Sequence, residues 1–241
     1  ADPLFIDAAN GNYRLSDYSP AIGAGTTAGA PSTDIEGNPL PNPEGSNPDI
    51  GAYENALGTP TYLPQVLNVP ADYSSIQAGL TAANATDTVL VQPGTYTENI
   101  FWPETNGIKL ISAGDSSNTI IDGGGVSSVI YMNPQTATID TTTLIQGFKI
   151  TNGGNVSNGA GIFCNQAGIT LKNSLIKNNT ANDKGGGVFC DSYSSPTFIN
   201  STITSNSSSG YGGGVYIGND GNLIMQNCSI NNNLCGTEGA G

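Results

Sequence analysis

Apolar and polar residues alternate in short bursts along the second half of the chain, and the bursts recur. Ile162-Phe-Cys164, Val188-Phe-Cys190 and Val215-Tyr-Ile217 each place an aromatic residue between two smaller apolar ones. That period of two is the signature of a strand with one face turned inward. Glycines precede every burst, giving Gly159-Ala-Gly-Ile-Phe-Cys164, Gly185-Gly-Gly-Val-Phe-Cys190 and Gly212-Gly-Gly-Val-Tyr-Ile217, with a further start at Gly239-Ala-Gly241. The offsets of 26, 27 and 27 residues are too short for a propeller blade and lack the Leu/Asn pattern of a leucine-rich horseshoe. One coil of a β-solenoid is the unit they predict.

The second half of each repeat keeps the same register, through Asn173-Ser-Leu-Ile176, Asn200-Ser-Thr-Ile203 and Asn227-Cys-Ser-Ile230. Stacked coils place equivalent residues one strand spacing apart, roughly 4.8 Å, so identical residues form columns. Ile162, Val188 and Val215 are expected to make one interior column and Ile150, Ile176, Ile203 and Ile230 another. Asn179, Asn206 and Asn233 make a third, at a bend where Asn tolerates the left-handed conformation and its amide bonds to the amides above and below. The Asn column reads as structural. Tyr131, Phe163, Phe189 and Tyr216, between inward neighbours, form an outward column: either a packing ladder covered by a loop or neighbouring subunit, or a platform for sugar rings or a partner.

Upstream, Thr88-Val-Leu-Val-Gln92, Gly94-Thr-Tyr-Thr-Glu98, Ile108-Lys-Leu-Ile-Ser112 and Thr119-Ile-Ile-Asp122 read as strands between turns. Before them the pattern changes to that of a short helix over about 74–83, with Ile76, Leu80 and Ala83 on one face and Asp72 or Ser74 placed to cap it. Such a helix would cover the open first coil. Residues 1–57 hold short strand-like pieces among Gly, Pro, Asn and Asp and read as an irregular cap segment; 58–68 read as a Pro-stiffened linker, and 69–241 as the solenoid, with regular coils over 88–241.

Glycine (33 residues) and small polar residues dominate, and only 10% of the 241 residues are charged, which suits tight corners and thin strands. The formal net charge of −13 argues against nucleic acid or an anionic membrane as partner. No apolar run approaches the ~20 residues of a membrane span. Because Gly241 falls inside a coil and no signal-like start is present, the chain is expected to be an internal piece of a longer secreted or cell-surface protein. Cys164 and Cys190 share a column, Cys228 aligns with Ser174 and Ser201, and Cys235 falls in a later turn. Buried small hydrophobes are the ordinary reading; a Cys164–Cys190 bridge or a Cys228–Cys235 loop is the alternative. A zinc site is not expected, since the chain has no histidine.

The stretch Val69-Pro-Ala-Asp-Tyr-Ser-Ser-Ile-Gln-Ala, then Asp87-Thr-Val-Leu-Val-Gln-Pro-Gly-Thr-Tyr-Thr-Glu-Asn-Ile100, resembles the opening of bacterial right-handed parallel β-helix proteins of the pectin-lyase-like superfamily. Thr119-Ile-Ile-Asp-Gly123 and Gly147-Phe-Lys-Ile-Thr-Asn-Gly153 extend the likeness. Residues 1–54, through Asp2-Pro-Leu-Phe, Tyr13-Arg-Leu, Ser19-Pro-Ala-Ile-Gly-Ala-Gly25 and Asp49-Ile-Gly-Ala-Tyr-Glu54, are similar to the segment that follows the last coil in choice-of-anchor type members. An ending thus precedes a beginning, which implies a parent with tandem β-helices. The fold implied is all-β, a right-handed parallel β-helix of about 27 residues per coil.

Members that cleave pectin use clustered carboxylates, calcium and a basic residue. Here the Gly-His-Gly and Arg-x-Pro-x-x-Arg words are absent, Arg14 is the single arginine, and Asp183, Asp191 and Asp220 share no column. Catalysis is therefore not expected, and no cofactor is required. Calcium is the one ion considered, with Asp34, Glu36, Asn38 and Asp49 as ligand candidates against ordinary turn capping. The function expected is a non-catalytic structural or adhesive module of a bacterial extracellular protein, associating end to end into a filament through residues 1–57 of a neighbouring copy. The alternative is a carbohydrate-active protein that binds or cleaves polysaccharide.

Overall fold

The computed structural model describes residues 2–239, so all but the first glycine of the repeat start at Gly239-Ala-Gly241 lies outside it. The chain divides into two compact units, Ala1–Leu63 and Pro64–Gly241. The segment expected as a linker is not one throughout, because Val66–Val69 already forms the first strand of the coil stack.

The larger unit is a parallel β-solenoid. Four sheets run along it, of seven, six, four and five strands, and every pairing within them is parallel. Ile162, Val188 and Val215 lie in register, as do Ile150, Ile176, Ile203 and Ile230, which are the interior columns expected from the repeats. Leu110, Ile145, Leu171 and Phe198 form a further column on the seven-stranded sheet and are fully buried. Each such side chain contributes about 1.5–3 kcal/mol by leaving water.

Two corners and a Gly-x-Gly triplet shape the later coils, with the triplets at 159–161, 185–187 and 212–214. At the second corner Asn178, Ser205 and Asn232 take φ of 59°, 57° and 54°. The left-handed residue is therefore the one before the ladder, not Asn179, Asn206 or Asn233 as expected. Freed from that duty, the ladder residues turn inward: each is at most 4% exposed. The triplet that follows leaves room for them. A Cβ on Gly161, Gly187 or Gly214 would come within 2.7–3.0 Å of the ladder amide nitrogens, and on Gly187 within 2.5 Å of the Gly214 carbonyl.

The helix α1 spans Ile76–Ala82 and buries Ile76, Gly79 and Leu80. Its cap is Ser75, whose Oγ accepts from Ala78 N at 3.1 Å, rather than Asp72 or Ser74. Glu98 accepts from the first-turn amides of Ile76 and Gln77, both at 2.9 Å. Asp72 instead closes a turn, accepting from Asn68 N and Nδ2, both at 2.8 Å. Gly79 packs so closely on Val89 and Val69 that the helix lies on the first coil. It is too short to cross a membrane, and among the described residues no helix is long and apolar enough to do so.

The smaller unit has little regular structure. Phe5–Asp7 and Asn12–Leu15 pair antiparallel around a 3-10 turn at Ala8–Asn10, and Leu15, Ala21 and Ile22 form a small core. Backbone hydrogen bonds such as Gly25 N to Pro48 O and Ile50 N to Ala21 O, and carboxylates that accept from backbone amides, supply further order. Ser19–Ile22 and Asp49–Glu54, read from sequence as strand-like, are turns and bends held by side-chain to backbone bonds.

Candidate functional site

The five-stranded sheet carries one aromatic residue per coil at the middle of its inward-outward alternation. Ile130 and Met132 are buried either side of Tyr131, and Ile162 and Cys164 either side of Phe163. In-register pairing then stacks the rings. Tyr131 and Phe163 lie 4.7 Å apart between centroids, Phe163 and Phe189 5.1 Å, and Phe189 and Tyr216 5.5 Å, with interplanar angles of 11°, 15° and 5°. Stacked ring pairs at such distances add about 0.5–1.5 kcal/mol each beyond burial.

The structure adds a fifth ring. Phe101 pairs in register with Tyr131 and lies 5.8 Å from it, tilted by 53°. It is 58% exposed, whereas Phe189, between two neighbours, is only 5% exposed. The column is thus open to solvent at the Phe101 end and closed at Phe189, not uniformly outward as expected. At the far end the Lys184 ammonium lies 5.0 Å from the Tyr216 ring centre, a cation–π contact.

Beside the open end lies a cleft of about 270 Å3, lined by Phe101, Tyr131 and Phe163 on one side and by Ser127, Ser128, Val156, Ser157 and Asn158 on the other. Asn158 Oδ1 is buried there without a hydrogen-bond partner. A buried acceptor left unpaired costs about 1–3 kcal/mol. Polar groups flank the ring column as well. Asn133 Nδ2 donates to the Tyr131 hydroxyl at 3.2 Å and Asn165 Nδ2 to Asn133 Oδ1 at 2.8 Å.

The carboxylates named from sequence do not meet. Asp191 stands level with Asn165 in the strand register, and its Oδ1 accepts from Ser192 N at 2.8 Å. Asp183 belongs to the four-stranded sheet, and Asp220 lies two residues beyond the Gly218 that stands against the Asp191 carboxylate, so the three share no column. Asp34 accepts from Asn38 N at 2.8 Å, Asn38 Nδ2 at 2.9 Å, Glu36 N at 2.9 Å and Glu54 N at 3.2 Å. The Asn38 side chain leads these bonds in holding its carboxyl down to about 2. Glu36 pairs with Arg14, and Asp49 accepts from Gly23 N at 2.8 Å and Asn55 N at 2.7 Å. These oxygens clamp backbone amides, and among the described residues no three His, Cys, Asp or Glu side chains are grouped to hold a metal ion.

No disulfide joins the four cysteines in this structure. Cys164 and Cys190 are buried and face each other across neighbouring coils, while Cys228 and Cys235 are half-buried and stand level with Ser201 and Ser208.

The geometry defines a parallel β-solenoid with one aromatic-lined face. No protein-family model, curated protein or solved structure matches the chain.

Proposed function

We propose that the chain is a non-catalytic adhesive module of a bacterial extracellular protein, related to the pectin-lyase-like and choice-of-anchor β-helix proteins it resembles, and that its aromatic column binds polysaccharide. The observation that carries this reading is the ladder of five rings, 4.7–5.8 Å apart, running into a cleft with an unpaired acceptor. The Phe101 ring, tilted by 53° from its neighbour and 58% exposed, offers a flat face to the apolar face of a sugar ring, while the stacked rings behind it present their edges. The net charge of −13 repels polyanions, so a neutral glycan such as xylan fits better than pectin or alginate. The carboxylates are scattered, which supports binding without cleavage.

Affinity electrophoresis through gels containing each polysaccharide tests this. The chain should be retarded by a neutral glycan, and Phe101→Ala or Tyr131→Ala should abolish the retardation while no reducing ends are released. Retardation by none of the glycans, or release of reducing ends that is lost on Asp191→Asn, would sink the reading.

End-to-end self-association is a second reading, favoured by Ile6, Ile35 and Ile50, which are 57–70% exposed on a unit with only three buried core side chains. Sedimentation velocity should show concentration-dependent growth that Ile35→Lys prevents. A single monomer boundary at all concentrations removes this reading.

A further inference from the structure

The five-stranded sheet has an inward column in which two thiols are neighbours. Met132, Cys164, Cys190 and Ile217 lie level on successive strands, and Cys164 and Cys190 are direct Cα partners in a parallel pair. Hydrogen-bonded strands run roughly 4.8 Å apart. That falls inside the ~4.4–6.8 Å between Cα atoms that a disulfide spans. Both side chains point to the interior, at 1% and 0% exposure, between the outward Phe163 and Asn165 and the outward Phe189 and Asp191.

The surroundings suit a neutral bridge better than two thiols. The Cys164 Sγ donates to the Ala167 carbonyl at 3.1 Å. The Cys190 thiol has Cys164 as its hydrogen-bond neighbour, and that contact, together with burial, raises its pKa well above the usual thiol range. Thiolate is the reactive form, so once the coils have closed the Cys190 sulfur is not poised to attack an outside reagent. The column position has no serine equivalent either; in contrast, Cys228 and Cys235 replace residues that are Ser201 and Ser208 one coil earlier. Of the four cysteines, only 164 and 190 have another cysteine as strand partner.

We propose that Cys164 and Cys190 are a cross-coil disulfide site, closed during assembly of the two coils by exchange with a small-molecule disulfide such as oxidised glutathione. One protein thiolate attacks a sulfur of oxidised glutathione, forming a mixed disulfide and releasing one glutathione thiolate. The second protein thiolate attacks the protein-side sulfur, forming the Cys164–Cys190 bond and releasing the other. Two S–H bonds are lost and one S–S bond is gained. Oxidised glutathione takes up the two electrons and two protons and leaves as two thiols. The bridge ties residues 26 apart and lies across two coils, so it resists the separation of neighbouring strands by which a solenoid frays.

The test refolds the full chain in a mixture of oxidised and reduced glutathione and, separately, in excess reductant. Free thiols are then alkylated under denaturing conditions and the digest is mapped by mass spectrometry without reduction. The oxidised sample should yield the peptides of Cys164 and Cys190 joined, two hydrogens lighter than their sum and separable by reductant, with Cys228 and Cys235 alkylated. Its thermal midpoint should exceed that of the reduced sample by on the order of 10 °C. That difference should vanish in a Cys164→Ala/Cys190→Ala chain. Alkylation of both Cys164 and Cys190 after oxidative refolding, or a bridge from either to Cys228 or Cys235, overturns the proposal. The mapping uses the unsubstituted chain, so its outcome does not depend on whether a variant folds.

Discussion

Asn179 donates from Nδ2 to Asn206 Oδ1 at 2.9 Å, and the same oxygen accepts from the Asn179 backbone amide at 3.0 Å. Asn206 repeats this with Asn233, at 3.1 and 3.0 Å, while its Nδ2 also reaches the Ile176 carbonyl at 3.1 Å. One side chain thus satisfies buried groups on the coils before and after it. Asn206→Ala would leave the buried Asn179 backbone amide without its acceptor and open a void in the column. Each buried group left unpaired costs about 1–3 kcal/mol. The expected loss is about 3 kcal/mol in urea unfolding, and a loss under about 1 kcal/mol would mean that the column does not couple the coils.

Gly187 stands against that ladder. A methyl there meets the Gly214 carbonyl oxygen at 2.5 Å and Asn206 Nδ2 at 2.9 Å, neither of which is the free end of a flexible side chain. Gly45 offers the contrast, with φ of 90° and nothing within 4 Å of its added Cβ. Gly45→Ala therefore costs backbone strain alone, about 1 kcal/mol. Gly187→Ala should cost at least about 3 kcal/mol, because coil spacing must open to admit the methyl. Equal thermal shifts for the two variants would show that close approach between coils does not require glycine at this position.

The columns were legible because a solenoid copies its period into sequence: Ile176 over Ile203 over Ile230 needs no long-range information. The fifth ring was not. Phe101 stands 30 residues before Tyr131 and closes a strand of only two residues, Ile100–Phe101, so it lacks the second inward neighbour that marks the other rings. The helix cap was hidden for a different reason. Asp72, Ser74 and Ser75 are all competent caps by type, and Glu98, a coil away, sets which residue begins the helix. For the acidic residues of the N-terminal unit the sequence offers both cation ligation and turn capping, and the partners they have, backbone amides, are carried by every residue but proline and so are not named by any composition.

Phe189 and Phe101 should separate packing from binding. Phe189 is 5% exposed, so Phe189→Ala opens a cavity at the centre of the ladder and should cost about 3–5 kcal/mol. Phe101 is 58% exposed at the open end, and Phe101→Ala should change stability by less than about 1 kcal/mol. Under the proposed function the order reverses for glycan retention, where Phe101→Ala loses the most per unit of stability. Calorimetric unfolding and gel retardation on the same samples check both halves. Parallel losses in the two measurements would reduce the ladder to a packing device.

Glu104 holds the segment that follows the Tyr131 strand. Its carboxylate accepts from Gln135 N at 2.7 Å, Ala137 N at 2.8 Å and Thr136 N at 3.1 Å, and from the Thr136 hydroxyl at 3.1 Å. These amides, Gln135 first, lower its pKa from 4.5 to about 2. A folded-state value below the unfolded one means that the unfolded chain binds the proton first as pH falls. The clamp's contribution is therefore complete above about pH 4.5 and is lost as pH falls to about 2. Glu104→Gln cannot make the charged bonds, so the thermal midpoint of the native chain should exceed that of the variant at neutral pH. The gap should close between about pH 4.5 and 2, with hydrogen exchange at 135–137 speeding up over the same window. A gap that stays constant down to about pH 2 would show that the clamp acts through shape rather than charge.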